Sequence, residues 1–283
     1  MDPPQPQPNA RSGKKGKGSR EPPSREVQIS KKLSWLLRHG ATSENLPLDP
    51  SGYAPLNLVL SNRKLAGMKI TFPEVRDVVA SNEKQRFGMK VRESADPGSE
   101  KAGDWLIRAN QGHSVKGLES EGLLEKVEGV REGECVVHGT SRGAWVAIVE
   151  SGGLMTMGRN HIHFASGLPA TFKRLATSAA STNGDETTSP ETAAPPVISG
   201  MRTSSTILIY LDLPKALTAG IKFWRSENGV VLSEGDAEGK IGLEFFERVE
   251  DRKGEGVLVE RGKVVKEAPE AWRGVGLVGR RGR

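Results

Sequence analysis

VHGTSRGAWVAIVESGG (137–153) reads as a strand that ends in His-Gly-Thr and runs directly into a helix closed by glycines. Such a junction turns backbone N–H groups and the Thr140 hydroxyl toward whatever sits there, and a pyrophosphate or a sugar fits that environment. The elements on either side are mostly strands. ECVVHG (134–139) and WLIRA (105–109) precede the helix. HIHFA (161–165) follows it and alternates, placing His161 and His163 on one face and Ile162 and Phe164 on the other. TILIYLDL (206–213) is apolar and β-branched, LPKALTAG is a short helix with Gly220 after it, and IKFW, VVLS and IGLEFFERV give three more strands. A β-rich lobe over 104–250 is expected.

The preceding part has a helical period. In VQISKKLSWLLRHG (27–40), Ile29, Leu33, Leu36 and Leu37 form one face of an amphipathic helix. Gly40 stands where a left-handed cap is wanted. LDPSGY (48–53) is a turn, with Gly52 supplying positive φ. Pro55 and Pro73 suit the first turns of helices over 55–61 and 73–81, and FGMKV (87–91) reads as a strand before a charged loop over 92–103. This predicts a small winged-helix-like lobe over 26–100. The fold class is α+β.

Three segments stand outside this pattern. Residues 1–25 and 262–283 each hold six Lys/Arg against two acidic residues. The chain as a whole is +6, so the body between these tails is slightly acidic. RNA recognition by the body therefore needs a local patch rather than the overall field. Residues 1–25 are too poor in apolar side chains to fold and are expected to be disordered. They read equally as a basic arm near RNA, a nuclear-import patch or a solubilising tail. Residues 175–205 are Ala, Ser, Thr, Pro and Gly and are expected to be a disordered insertion. No apolar run approaches a membrane span of roughly 18 residues, and no secretory leader is visible. Cys135 is the sole cysteine, which excludes an intrachain disulfide and a cysteine-based zinc site. A cytoplasmic or nuclear monomer is the expectation.

All five histidines fall between positions 39 and 163, in the motifs LLRHG, ANQGHS, VHGTSRG and GRNHIHF. Arg38 and His39 read either as a cationic helix end beside a capping glycine or as an anion site. Arg86 in EKQRFG is either a solvated turn charge or a ligand. ANQGHS (109–114) is rich in donors after a strand and suits a ligand loop or a plain turn. His161 and His163 lack a third nearby metal ligand, so no metal is expected. No P-loop pattern is present.

Taken together, SKKLSWLLRHG, LDPSGY, EKQRFG, IRANQGHS, VHGTSRGAWVAIVESGGL, GRNHIHFA and FWRSENGVVL resemble, in order and spacing, the NAD-dependent tRNA (RNA) 2′-phosphotransferase family. The likeness covers roughly 28–170 and 205–248. It implies a winged-helix lobe beside a lobe resembling ADP-ribosyltransferases, with the active site between them. The implied reaction removes the internal 2′-phosphate left at a ligated tRNA splice junction. That phosphate attacks the ribose C1″ of NAD and expels nicotinamide, giving a 2′-phospho-ADP-ribosylated RNA. The ribose O2″ then attacks phosphorus, releasing 2′-OH RNA and ADP-ribose 1″,2″-cyclic phosphate. The family's Arg-His-Arg-Arg set matches Arg38, His39, Arg86 and Arg159, all assigned to the phosphate, with His39 also a candidate acid/base. His138, Gly139, Thr140 and His163 match NAD-side positions, and Gln111, Gly112 and His113 are expected to line the cleft. One departure matters: Val231 stands about where ADP-ribosyltransferases carry a catalytic Glu, which disfavours protein modification. The competing readings are an ADP-ribosyltransferase that caps terminal phosphates of RNA or DNA, and a non-catalytic RNA-binding module.

Overall fold

The computed structural model describes residues 22–169, 172 and 200–274. Residues 1–21 of the expected basic tail, 175–199 of the expected insertion, and 275–283 lie outside the described residues.

Helix α1 (Arg25–Trp35) begins within the expected tail because Ser24 caps it, its hydroxyl accepting from Val27 N. Ile29 and Leu33 are buried on its inner face. The helix does not end at a left-handed glycine. It widens into a π-turn, Leu36–Gly40, and the chain remains right-handed through Ala41 at φ −55°. Gly40 is needed for space instead. A Cβ there would lie 2.7–3.1 Å from the Trp35 ring, which covers it. The 48–53 turn forms as expected, with Gly52 at φ +78° and Asp49 Oδ1 accepting from Tyr53 N.

Strand β1 (Ala54–Pro55) leads into α2 (Leu56–Ser61), and an additional short helix α3 (Arg63–Ala66) follows, capped by Asn62. Helix α4 (Phe72–Ser81) carries a reciprocal capping box between Thr71 and Glu74. Strands β2 (Phe87–Val91) and β3 (Trp105–Ala109) pair antiparallel with Phe87 opposite Ala109, and β1 lies on the other side of β3. The 105–109 strand thus completes the first sheet rather than opening the second half. Without β3, the two-residue β1 and β2 would have no partner, and Ile107, Ala109 and Val115 bury in the same cluster as Leu33 and Leu37.

The second half is built on two larger sheets and a two-stranded one. After α5 (Ser120–Leu123), strand β4 (Glu125–Lys126) and strand β5 (Val137–Thr140), Ser141 caps α6 (Arg142–Glu150). There follow β6 (Gly153–Met155), β7 (Ile162–Phe164), β8 (Ile207–Leu211), α7 (Leu213–Thr218), β9 (Lys222–Arg225), β10 (Val231–Gly235) and β11 (Lys240–Gly242). One sheet runs β4-β9-β10-β7, and β11 pairs with β6. The other sheet runs from β5 and β8 into β12 (Phe246–Asp251), β13 (Gly256–Glu260) and β14 (Lys263–Val264). Trp145, Ile209, Phe164, Phe223 and Phe246 fill the core between them. A bridge between Val137 and Ala165 joins the two sheets at the His-Gly-Thr strand.

Two expectations change here. The chain does not close on three strands, because β13 and β14 continue the sheet beyond residue 251. Residues 262–274 are therefore not a free tail: Trp272 is 6% exposed and takes Arg142 over its ring at 4.7 Å. Basic composition hid this, because a single tryptophan carries the burial. Among the described residues, no helix is long and apolar enough to cross a membrane. Trp272→Ala is expected to lower the unfolding free energy by about 3 kcal/mol in urea titration. An unchanged midpoint would show that the segment adds nothing to the fold.

Candidate active site

The register of β2 and β3 brings two motifs together. With Phe87 opposite Ala109, the next residues along, Arg86 and Asn110, become neighbours, and Asn110 N donates to Arg86 O at 2.9 Å. Asn110 Nδ2 donates to Gln85 O at 2.9 Å, and Asn82 Oδ1 accepts from Arg86 Nη1 at 3.1 Å. The Asn228 side chain reaches across from the second half and donates to Lys84 O at 2.8 Å. The turn that carries Arg86 is thus held from three directions.

The π-turn carrying Arg38 and His39 is fastened to the loop after β3. Ser114 N donates to Arg38 O at 2.9 Å, and the Ser114 hydroxyl shares a hydrogen bond with His39 Nδ1 at 2.9 Å. Gly112, at φ +88°, faces Arg38 so closely that a Cβ would sit 3.6 Å from the guanidinium. The Arg159 loop is fastened to the same segment, with Asn160 N donating to His113 O and Asn160 Nδ2 to Val115 O, both at 2.9 Å.

These straps bring like charges together. Burial, and then the proximity of Arg86 and Arg159, lowers the Arg38 pKa to about 10. Its Nε and Nη2 are buried with no hydrogen-bond partner among the described residues. A buried guanidinium beside two others, and without a carboxylate, is costly unless an anion completes it. Burial, with Arg159 and Arg38 beside it, also lowers the His39 pKa, so the ring is neutral near pH 7 and can exchange a proton. Arg38, His39, Arg86 and Arg159 therefore meet at one place. Gly112 and His113 flank it, and Gln111 is 9% exposed on the same loop.

The second cluster lies where β5 meets β7. His138 Nδ1 donates to His163 O at 2.8 Å, and His163 Nδ1 donates to His161 O at 2.9 Å. Carbonyl acceptors fix the proton on Nδ1 in both rings, so each Nε2 is an acceptor. Burial drives the His163 pKa down to about 3, and its Nε2 is buried without a partner among the described residues. Arg159 is also close to His163, so it joins this cluster to the first. At Gly139, Met201 and Ser205 occupy the space that a side chain would need.

His161 lies just before β7, sharing a hydrogen bond with Ser120 Oγ at 3.0 Å and lying 3.4 Å from Glu234 Oε1. Val231 is fully buried opposite Phe164, so it faces the core and offers nothing to a cleft. Glu227 instead pairs with Arg108 at 3.2 Å across the two halves. Asn82, Asn110, Ser114, Asn160 and Asn228 had no assigned role in the sequence. Each lies in or beside a quoted motif, but its function is to hold backbone, which only the register reveals. No group of three or more His, Cys, Asp or Glu able to hold a metal occurs among the described residues.

Comparisons with known proteins point the same way. A model of the RNA 2′-phosphotransferase, Tpt1 / KptA family matches residues 24–235. The tRNA 2′-phosphotransferase 1 of Danio rerio is 35% identical over 238 residues, 84% of this chain and 91% of the relative. That of Mus musculus is 39% identical over 243 residues, covering 84% of each. The tRNA 2′-phosphotransferase of Saccharomyces cerevisiae is 35% identical over 228 residues, 80% of this chain and 84% of the relative.

Replacing Arg38 by Met removes a buried charge from a like-charge cluster. The ligand-free protein is expected to gain about 1–2 kcal/mol in stability while losing the rise in melting temperature that inorganic phosphate gives the native chain. Equal stability and an undiminished phosphate response would contradict this account. His113 also has its pKa lowered by burial to about 3. It is neutral in the fold but protonates in the unfolded chain below about pH 6.5, so stability falls as pH drops. Between pH 7 and 5 the loss is about 2 kcal/mol for this histidine. His113→Gln is expected to flatten the urea-measured pH dependence by that amount.

Proposed function

This chain belongs to the RNA 2′-phosphotransferase, Tpt1 / KptA family, and we propose that it transfers the internal 2′-phosphate of a ligated tRNA to NAD, leaving a 2′-OH. It is a transferase. One observation carries the site assignment: the buried Arg38 guanidinium, with Nε and Nη2 unpartnered, between Arg86 and Arg159. A dianionic phosphate supplies the acceptors that Arg38 lacks.

The chemistry asks little else of the protein. Arg38, Arg86 and Arg159 hold one phosphate in place while it acts as nucleophile, and they stabilise charge gathering on its oxygens when it is later attacked. His39, neutral and steadied by Ser114, is placed to accept and return the proton of a sugar hydroxyl. NAD supplies an electrophilic ribose carbon and nicotinamide as the leaving group. His138, Gly139, Thr140 and His163 would hold it. The His163 Nε2 acceptor, buried and unpartnered, suits a ribose hydroxyl donor. Gln111, Gly112 and His113 would line the passage between the two ligands. A buried Val231 in place of a carboxylate favours a substrate phosphate as nucleophile over protein ADP-ribosylation.

The proposal includes a winged-helix-like first lobe and an ADP-ribosyltransferase-like second lobe, with a monomer at work in the cytoplasm or nucleus. The test is a short RNA bearing one internal 2′-phosphate, incubated with and without NAD. NAD-dependent appearance of 2′-OH RNA is expected, falling about 100-fold or more in Arg38→Ala and Arg159→Ala. A stable ADP-ribosyl adduct would indicate a capping enzyme, and no turnover with retained RNA binding would indicate a binding module.

A further inference from the structure

Trp35 is 38% exposed, although a tryptophan on a helix of this protein could have turned toward the core beside Leu36 and Leu37. Its ring lies against Gly40, where a Cβ would approach the indole to 2.7 Å. The glycine therefore allows the ring to rest on the backbone of the same π-turn that carries Arg38 and His39. A cavity of about 740 Å³ opens beside it, walled by Trp35, Arg38, His39, Arg86, Lys31 and Lys84. On its other side Trp35 borders a second cavity of about 470 Å³ with Lys31, Lys32 and Lys64. An exposed aromatic ring thus stands between two cation-lined hollows, and one of these leads directly to the proposed phosphate site. Glu26 and Glu83 also line the larger cavity, leaving its charged side chains with an excess of cations.

A phosphate pocket needs cations but no aromatic ring. A nucleotide strand needs both: cations for the backbone, and a flat apolar surface on which a base can stack. We infer that Trp35 is a stacking platform for a nucleobase of the RNA strand beside the 2′-phosphate, with Lys31 and Lys84 on one side and Lys32 and Lys64 on the other holding flanking backbone phosphates. This inference rests on the reading that the 2′-phosphate occupies the Arg38, Arg86 and Arg159 cluster. Stacking accepts any base, so the platform favours unpaired nucleotides without selecting sequence. A base already stacked in a continuous duplex offers no free face to the indole.

The experiment uses the full chain and 2′-phosphorylated oligoribonucleotides with an abasic residue at, immediately before or immediately after the modified nucleotide. Binding is read by fluorescence anisotropy of an end label, without NAD. The native protein is expected to bind one of the abasic RNAs about 10-fold or more weakly than the intact RNA. Trp35→Ala is expected to bind intact RNA that weakly and to lose the discrimination, while Trp35→Phe retains much of both. Equal binding of intact and all three abasic RNAs by the native protein overturns the platform, as does undiminished discrimination in Trp35→Ala. If Trp35→Ala melts early, the native protein and Trp35→Phe still decide the question. Turnover with NAD is measured separately. A native chain that discriminates abasic RNA but never releases 2′-OH product supports the platform and sinks the transferase reading.

Discussion

The arrangement turns on a buried charge that the protein itself does not neutralise. Arg38 lies beside Arg86 and Arg159 with two guanidinium nitrogens buried and unpartnered. Left to themselves, three such side chains would swing apart into water. They remain together because the segments carrying them are tied at the backbone. The π-turn is bonded to Ser114, the Arg159 loop to His113 and Val115, and the Arg86 turn to Asn110 and Asn228. Stability supplied by the two cores holds these cations together.

The same economy governs the histidines. His113 and His163 are held neutral by burial, so they present acceptors rather than adding to the positive charge. A protonated His163 beside Arg159 would repel it, and a neutral one does not. The two sites differ in kind for this reason. The first gathers cations, while the second presents neutral imidazole acceptors. Arg159 lies at the junction, close to His39 on one side and His163 on the other.

The two halves contribute unequally. The first supplies Arg38, His39 and Arg86 from a π-turn and the turn before β2. The second supplies Arg159, His138, His163 and the Asn228 strap. A shift between them would separate Arg159 from Arg38. Polar ties such as Asn228 to Lys84 O and Arg108 to Glu227 therefore belong to the site as much as to the fold.

Much was legible in the sequence because it is local. The apolar period of 27–40, the Gly52 turn, the helix starts at Pro55 and Pro73 and the strand at 87–91 depend on neighbours within a few residues. The Arg and His residues of the candidate site were visible as motifs in a fixed order. The rest depended on partners far apart in the chain. That β3 belongs to the first sheet follows from pairing with β2, and that Trp272 is part of the core follows from Arg142 and the helix α6 that carries it. Gly40 suggested a left-handed cap because that is the commonest use of a glycine at a helix end, whereas the ring of Trp35 sets its actual use. The sequence by itself determined which residues carry charge and which segments become helix or strand. Only the tertiary structure decided that Arg38 lies beside Arg86 and Arg159 with its Nε and Nη2 buried and unpartnered among the described residues, because desolvation and mutual repulsion arise only when distant segments are packed together.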